Sequence, residues 1–342
     1  MKVGFSLFNL GFGFLLFLKV DSATLGVISQ NGISSTCAQT YFHIDTDACT
    51  CTSVNCPASS KGSDPQINEF GTNSISTKLN NGAYVFVDEY WNYIQQINPD
   101  GTQVPSINHM VQQECMASGK SIYEIVGLSY HYSTNLMYGF VMVPNNTKQT
   151  YDGKIVTLDI NTGECDDVLT GFTGSGNQLP NNCCGSSNVP AMDQNTTTMY
   201  TFGASGYSEQ PKLGTVIAFD IPNKKYSMGF ISSYIYTTHG YMFYDSQLAG
   251  LYTLGYDNRV FGIYQLQTPW ADRAVIPDKL IVSIGKVWPS AFAYNETDHT
   301  LYLLFENDSA QLTTVNMAAA TATTCSMPKT CSNNIWTFPI LL

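Results

Sequence analysis

The sequence predicts an all-β fold made of repeated four-stranded units, and three observations support this. A short phrase, one small or apolar residue followed by tyrosine, recurs five times with its tyrosines 54, 62, 52 and 50 residues apart. In repeats two to five a small apolar run ending in a polar residue precedes that phrase. The stretch Leu251–Leu266 flanks Asp257-Asn258 with apolar and aromatic residues, which is typical of a β-hairpin. The repeated tyrosines are Tyr84, Tyr138, Tyr200, Tyr252 and Tyr302.

Each repeat contains a strand, a polar turn, the tyrosine strand, a loop, a third strand, a turn and a weaker fourth segment. Lys225–Ser232 and Lys279–Ile284 are two such fourth segments. Four antiparallel strands in about 50 residues predict a β-propeller blade. A polar residue ends the first strand seven positions before the tyrosine, and in a blade it bonds the turn amides while the tyrosine packs between blades. These polar residues are His131, Asp193, Asp245 and Asn295.

The chain ends suggest how the ring of blades closes. Residues 24–66 form a cysteine-rich leader with one strand-like run, Thr40–Ile44. If this run pairs with the C-terminal Ile335–Phe338, it completes a sixth blade and leaves no open sheet edge. The prediction is therefore a single propeller domain over residues 24–342 with six blades. Five blades with a disulfide-bonded cap is the alternative.

The blade phrase also carries a resemblance. A small apolar strand ending in Asp or Asn, then Leu or Met before Tyr, then apolar-Asp-apolar, resembles the blades of lactonase-like and quinoprotein-like β-propellers. The resemblance covers roughly Phe70–Ala318. It implies the architecture alone, because the matched positions are structural, and it transfers no catalytic residue.

The composition restricts the class of partner. The net charge is −11 and only 12% of residues are charged. Nucleic acids and anionic membranes are bound through clusters of Lys and Arg that this chain lacks, so neither is predicted as a partner. The first 23 residues, with Lys2 before an apolar run, read as a signal peptide cleaved after Ala23, and the run is too short for a membrane span. A secreted, extracellular protein is predicted.

Ten cysteines fit an oxidising compartment and as many as five disulfides, although spacing does not give their pairing. Cys183-Cys184 leaves a strained vicinal bond and two separate bonds both open, with separate bonds favoured. Four sequons favour disulfides over a zinc site for the first cluster of cysteines, and they predict N-glycosylation at Asn145, Asn195, Asn295 and Asn307. The cysteines are Cys37, Cys49, Cys51, Cys56, Cys115, Cys165, Cys183, Cys184, Cys325 and Cys331.

Catalytic motifs are few. The chain has no Gly-x-Ser-x-Gly and no His-Glu-x-x-His, and its five histidines are scattered singly. Calcium stays open as a cofactor, because propeller channels can hold an ion with oxygen ligands from several inner strands. Glu124 and Asn188 are the candidate ligands, although calcium takes six or more oxygens.

Two functions are considered. The first is a non-enzymatic extracellular module that binds a protein or a glycan through loops on a rigid disk, and it is favoured. The alternative is a lactonase-like hydrolase that uses a channel-bound calcium. Long connections at Gly171–Asn188 and Gly203–Gly214 predict the binding sector on the third and fourth blades. The residues predicted to converge there are Tyr207, Glu209, His239, Arg259 and Trp288.

Overall fold

Strands account for every regular element in the described part of the chain, as predicted. A computed structural model provides the coordinates. No helix with the length and apolar character needed to cross a bilayer occurs among the residues that it describes. The described residues are 23–29, 40–55, 75–80, 82–88, 93–98, 100, 102–110, 124–145, 150–160, 164–172, 190–203, 215–231, 235–236, 241–257, 260–285, 289–305, 310–328, 331 and 340–341.

Five groups of consecutive strands form five sheets, the blades of a β-propeller, and within each sheet the strand order follows the chain. Blade 1 contains β4 (Ile75–Lys78), β5 (Tyr84–Asp88), β6 (Tyr93–Ile97) and β7 (Gln103–Met110). Blade 2 contains β8 (Glu124–His131), β9 (Leu136–Asn145), β10 (Thr150–Leu158) and β11 (Cys165–Phe172). Blade 3 contains β12 (Ala191–Asp193), β13 (Thr198–Gly203), β14 (Thr215–Asp220) and β15 (Lys225–Ile231).

Blade 4 has a divided inner strand, because two short segments pair with the same neighbour. The segments are β16 (Ile235–Tyr236) and β17 (Met242–Asp245), followed by β18 (Gly250–Asp257), β19 (Val260–Leu266) and β21 (Asp278–Gly285). The hairpin of β18 and β19 is the one predicted at Leu251–Leu266. Blade 5 contains β22 (Ala291–Asn295), β23 (Thr300–Phe305), β24 (Gln311–Asn316) and β25 (Thr321–Ser326).

The chain ends share one further sheet, called the terminal sheet. Its order is β26 (Ile340–Leu341), β1 (Thr24–Ser29), β2 (Thr40–Asp45) and β3 (Thr50–Asn55). The predicted pairing of Thr40–Ile44 with the C-terminal run is therefore wrong, because β1 lies between β2 and β26. β1 buries Leu25 and Val27, and no strand was predicted for it from the sequence. Ile335–Phe338 lies outside the described residues.

The innermost strands follow one another around a ring. β4 neighbours β8, β8 neighbours β12, and β12 neighbours β17. The C-terminal β26 contacts both β22 of blade 5 and β4 of blade 1. The terminal sheet therefore lies between blades 5 and 1, where a ring of blades has to close.

The polar residue that ends the first strand caps the turn, as predicted. Asp245 Oδ1 accepts the Gln247 and Leu248 N–H groups at 2.9 and 2.8 Å. Each such turn has four residues, and the last has φ between 47° and 56°, a conformation that L-residues adopt at a cost. The cap offsets that cost by satisfying turn amides. Equivalent caps are made by Asp45, His131, Asp193, Asp220, Asn295 and Asn316.

The repeated tyrosines pack between blades, which confirms their structural role for the four whose side chains are described. Tyr138 belongs to the apolar cluster between blades 2 and 3, and Tyr200 to the cluster between blades 3 and 4. Tyr252 and Tyr302 lie in the cluster that joins blades 4 and 5 to the terminal sheet. All four are buried. Each aromatic ring thus fills the wedge toward the next blade.

A segment that the sequence did not reveal, residues 267–277, joins blade 4 to blade 3 and is called the strap. The connection between β19 and β21 contains β20 (Ala274–Ile276), which pairs in parallel with β15 of blade 3. Asp272 Oδ1 accepts the Met228 N–H at 2.9 Å, and the Trp270 ring packs 5.7 Å from that of Tyr200. The strap covers the outer edge of blade 3, which is otherwise free to pair with another chain.

Gly229 allows the strap to approach, so Gly229→Ala is expected to destabilise the protein by about 1–3 kcal/mol. A Cβ there would lie 2.5 Å from Ile276 Cδ1 and 2.8 Å from Trp270 Cδ1. Urea unfolding measures the loss. Ile276→Ala removes the nearest clashing atoms. The double variant should therefore be destabilised by less than the sum of the losses in the two single variants. Additive costs would contradict the steric explanation.

Two disulfides fasten the terminal sheet to the end of the chain. Cys49 bonds Cys325 on β25, and Cys51 on β3 bonds Cys331. The prediction that the ends are secured by disulfides is confirmed for these four. Cys165 is also disulfide-bonded. The other predicted cysteines lie outside the described residues, and disulfides indicate an oxidising compartment. Those other cysteines are Cys37, Cys56, Cys115, Cys183 and Cys184.

Candidate functional site

The blades have two ends that differ in their connections. At the turn end, strand one joins strand two and strand three joins strand four. At the loop end, strand two joins strand three and each blade joins the next. In blade 3, Asp193 pairs with Thr198 at the turn end, while Gly203 pairs with Thr215 at the loop end. The two ends can therefore be compared as surfaces.

The connections from strand one to strand two are regular, whereas those from strand two to strand three vary in length. The turn from strand one to strand two has four residues in blades 2, 3, 4 and 5. Because a constant scaffold with variable loops is the arrangement of many binding surfaces, the loop end is the candidate site. The connections from strand two to strand three are 89–92 in blade 1, 146–149 in blade 2, 204–214 in blade 3, 258–259 in blade 4 and 306–310 in blade 5.

The five residues predicted for the binding sector lie outside the described residues, so their convergence stays a prediction. The strands that flank them fix which connections carry them. Tyr207 and Glu209 belong to the loop between β13 and β14, and Arg259 to that between β18 and β19. Trp288 lies between blades 4 and 5, and His239 between the two inner segments of blade 4. Four of the five residues are therefore on loop-end connections, namely Tyr207, Glu209, Arg259 and Trp288.

The sequons divide between the two ends. Asn195 is exposed in the turn after β12, and Asn295 ends β22, so both are at the turn end. Asn145 ends β9 opposite Thr150, which places it at the loop end. Asn307 lies outside the described residues. Asn295 Oδ1 accepts the Thr297 N–H at 3.0 Å, a contact that leaves its Nδ2 for attachment of a glycan.

At the turn end, a buried carboxylate joins blades 4 and 5. Asp245 has no exposed surface, and its Oδ2 accepts hydrogen bonds from the Tyr294 hydroxyl and from His299 Nδ1, the latter at 2.6 Å. Glu296 Oε1 accepts the Ser246 N–H at 2.6 Å. Asp245 and Ser246 of blade 4 are thus hydrogen-bonded to three residues of blade 5, namely Tyr294, Glu296 and His299.

The electrostatics of this joint follow from burial and hydrogen bonding. Burial alone raises the pKa of Asp245, but hydrogen bonds from Tyr294, the Leu248 N–H and His299 outweigh it, so the pKa lies below the ordinary carboxyl value. Burial, together with the Asp245 carboxylate, raises the pKa of Tyr294. At neutral pH the carboxylate is therefore charged and the phenol neutral.

This joint contains the residue types of a Ser-His-Asp triad, but not its geometry. A triad needs the serine Oγ hydrogen-bonded to the histidine nitrogen opposite the aspartate. Ser246 Oγ is buried and makes no hydrogen bond within the described part of the chain. Because His131 and Thr197 occupy the corresponding positions between blades 2 and 3, the Asp245–His299 pair is explained as a repeated joint between blades.

Between blades 2 and 3 the joint is a histidine. His131 is 2% exposed, and its Nδ1 lies 3.3 Å from the Thr134 backbone nitrogen, which donates. Nδ1 is therefore the acceptor and Nε2 carries the proton. Nε2 donates to the Gln194 carbonyl oxygen at 3.0 Å, with Thr197 Oγ1 at 3.1 Å.

Between blades 3 and 4 the joint is aromatic. Tyr200 and Tyr244 stack with ring centroids 5.7 Å apart. Burial is the main cause that raises the pKa of Tyr244 to about 12, assisted by the Asp193 carboxylate with which it is hydrogen-bonded. Burial likewise raises the pKa of Tyr200. Both phenols remain neutral at physiological pH.

Metal binding is not located by the described residues. Among them no three His, Cys, Asp or Glu side chains come close enough to hold an ion. Glu124 begins β8 but its side chain is not among those described, and Asn188 lies outside the described residues. The calcium site therefore stays a prediction.

One charge pair, formed by a buried lysine and a partly exposed aspartate, was missed by the sequence reasoning. Lys154 on β10 donates to Asp167 Oδ1 on β11 at 2.8 Å, and the Lys154 side chain is 10% exposed. Lys154 directly precedes Ile155 and Val156, which are fully buried. A charge next to a short apolar run was the only signal in the sequence.

Comparisons with solved structures agree with this architecture. The chain is similar to TolB from Acinetobacter baumannii, with a TM-score of 0.55, 9% identity, and coverage of 93% of this chain and 66% of that one. A protein of unknown function from Bacteroides caccae gives 0.52, 11% identity, and coverage of 94% and 99%. A gluconolactonase from Xanthomonas campestris gives 0.48, 9% identity, and coverage of 89% and 85%.

These similarities concern the fold alone. The chain is a β-propeller whose fold is similar to that of TolB, and identities of this size identify no family. The chain spans about two thirds of the TolB length. No family model matches the sequence. Curated proteins give no match to it either. The similarity therefore transfers no activity.

Proposed function

We propose that this protein is a secreted, N-glycosylated six-bladed propeller that binds an extracellular protein or glycan at its loop end. The terminal sheet is the sixth blade in this proposal, because β26 neighbours the innermost strands of blades 5 and 1. The two disulfides then close the ring, since each joins the terminal sheet to the last part of the chain.

One observation carries the proposal of binding, namely the contrast between two kinds of connection within the blades. The connections from strand one to strand two repeat one four-residue turn in blades 2 to 5, so their sequence is largely determined by the fold. The connections from strand two to strand three, at the loop end, range from 258–259 to 204–214. Long connections in a compact repeat protein are more often functional than accidental. Glycans on Asn145 and Asn307 would crowd blades 2 and 5 and leave blades 3 and 4 open between them.

The variant Tyr207→Ala/His239→Ala/Trp288→Ala is expected to lose partner binding by at least a hundredfold, because aromatic residues supply most interface free energy. An array of glycans and extracellular proteins identifies the partner, and surface plasmon resonance measures the loss. A matched control replaces Tyr132, Gln247 and Leu248, which are exposed at the turn end, and keeps binding. Unchanged binding in the first variant, with both variants secreted, would contradict the proposed sector.

Elemental analysis of the purified protein distinguishes the binding module from the alternative, a lactonase-like hydrolase with a bound calcium. One calcium retained per chain after dialysis would support the lactonase-like hydrolase and would direct mutagenesis to Glu124 and Asn188. Protein without bound calcium that still captures a partner on the array supports the binding module.

A further inference from the structure

We propose that His131 is an acid-sensitive lock that holds blade 3 against blade 2. Its ring bridges the two blades, since Nδ1 faces the turn of blade 2 and Nε2 donates to the Gln194 carbonyl of blade 3. Gln194 also contacts blade 2 through its side chain. Its amide nitrogen donates to the Tyr130 carbonyl and its amide oxygen accepts the Tyr132 N–H, each at 2.9 Å. His131 thus lies at the centre of a reciprocal contact.

The lock requires a neutral imidazole. The Thr134 N–H is fixed by the turn and points a hydrogen at Nδ1. Protonation would put a second hydrogen between the same two nitrogens, because both ring nitrogens of a charged histidine donate. The ring is also 2% exposed, so the new charge would lose its hydration. Acid therefore turns the Thr134 N–H contact into a repulsion between two donors. The cation that forms has the neutral hydroxyls of Thr134 and Ser133, at 2.9 and 3.2 Å from Nδ1, as acceptors and no carboxylate.

The groups around the ring do not offset that charge. From β9 the Tyr138 ring meets the imidazole edge-on at 6.4 Å. The carboxylate of the facing turn, Asp193, accepts the Asn195 N–H at 2.9 Å and the Thr196 hydroxyl at 2.7 Å, and it is hydrogen-bonded with Tyr244. Among the residues described, His131 makes no ion pair. The remaining groups in contact are neutral, namely Ser133, Thr134, Gln194 and Thr197.

The joint between blades 4 and 5 provides an internal comparison with the opposite electrostatics. There His299 Nδ1 donates to the buried Asp245 carboxylate at 2.6 Å. Protonation of His299 keeps that donor and adds an attraction to the carboxylate. Acidification therefore loosens the His131 joint while the His299 joint holds. Histidine is the side chain that proteins most often use to respond to acid.

Hydrogen exchange followed by mass spectrometry at pH 7.5 and pH 5.0, corrected for intrinsic exchange rates, tests the lock. In the wild-type protein, protection of peptides covering 124–138 and 191–203 should be at least severalfold lower at pH 5.0 than at pH 7.5, because the charged imidazole cannot accept the Thr134 N–H. Peptides covering 241–257 and 291–305 should keep their protection. His131→Asn should remove the pH dependence at the first joint, because asparagine caps the turn of blade 5 without titrating.

Three outcomes overturn the lock. They are equal loss of protection in wild type and H131N, loss spread evenly over both joints, and full protection of the wild type at pH 5.0. If H131N is not secreted, H131Q replaces it, and the two joints of the wild-type protein are compared directly. His299→Gln is the matched control, which should leave the acid response of the His131 joint unchanged.

Discussion

Removing both disulfides at the chain ends is expected to prevent folding, whereas removing either one leaves a folded protein. The bonds Cys49–Cys325 and Cys51–Cys331 close nearly the same loop, with sequence separations of 276 and 280 residues. While one bond is intact, the other closes only the short ring between the two bonds. In the chain-entropy description a short ring contributes about 2–3 kcal/mol and a loop of this length about 5 kcal/mol.

The expected free energies are therefore strongly non-additive. Cys49→Ala/Cys325→Ala and Cys51→Ala/Cys331→Ala should each lower the free energy of unfolding by about 2–3 kcal/mol. The quadruple variant should lose about 7–8 kcal/mol, which is comparable with the whole stability of an ordinary domain. Urea unfolding of the secreted single-bond variants measures the first two losses. The yield of folded quadruple variant, with stepwise reduction of wild type as the control, reports whether the protein folds without either bond. A loss in the quadruple variant equal to the sum of the losses in the two single-bond variants would contradict the view that both bonds close the same loop.

Much of the fold was predictable because each blade repeats one local rule. The cap residue, the four-residue turn and the buried tyrosine all act within a few residues of each other, so their spacing is visible in the sequence. The caps Asp193 and Asp245 and the packing of Tyr200 and Tyr252 were predicted on that basis. The cysteines at the chain ends were also predicted to be bonded.

Contacts between distant segments were not predictable in the same way. β20 pairs with β15 across more than 40 residues, and only the coordinates show that Gly229 makes room for Ile276. β26 pairs with β1 across almost the whole chain, so the partner of Thr40–Ile44 was assigned wrongly. The histidine joint at His131 shared this difficulty, because the repeat predicted its cap of the turn but not its partner in the next blade. Its partners, residues of the next blade, are specified by the way the blades pack.

The pair of buried Lys154 and more exposed Asp167 leads to an asymmetric prediction. Asp167→Leu is expected to destabilise the protein by about 3–5 kcal/mol, because it leaves the Lys154 ammonium buried without its carboxylate. Lys154→Met should cost less, about 1–2 kcal/mol, since the Asp167 side chain is 30% exposed and water can solvate it. The difference between the two single variants reports which member of the pair is more deeply desolvated.

A double-mutant cycle completes this test. Lys154→Met/Asp167→Leu replaces both charges by apolar side chains, so its stability should return to within about 1 kcal/mol of wild type. Urea unfolding at pH 7 of the four proteins gives the coupling free energy, and Asp166→Asn, which removes the charge of an exposed carboxylate next to Asp167 on β11, is the matched charge control. The double variant regains stability because an apolar pair needs no hydration, whereas each single variant leaves one charge without its partner. A double variant as unstable as Asp167→Leu alone would mean that Asp167 acts through contacts other than Lys154.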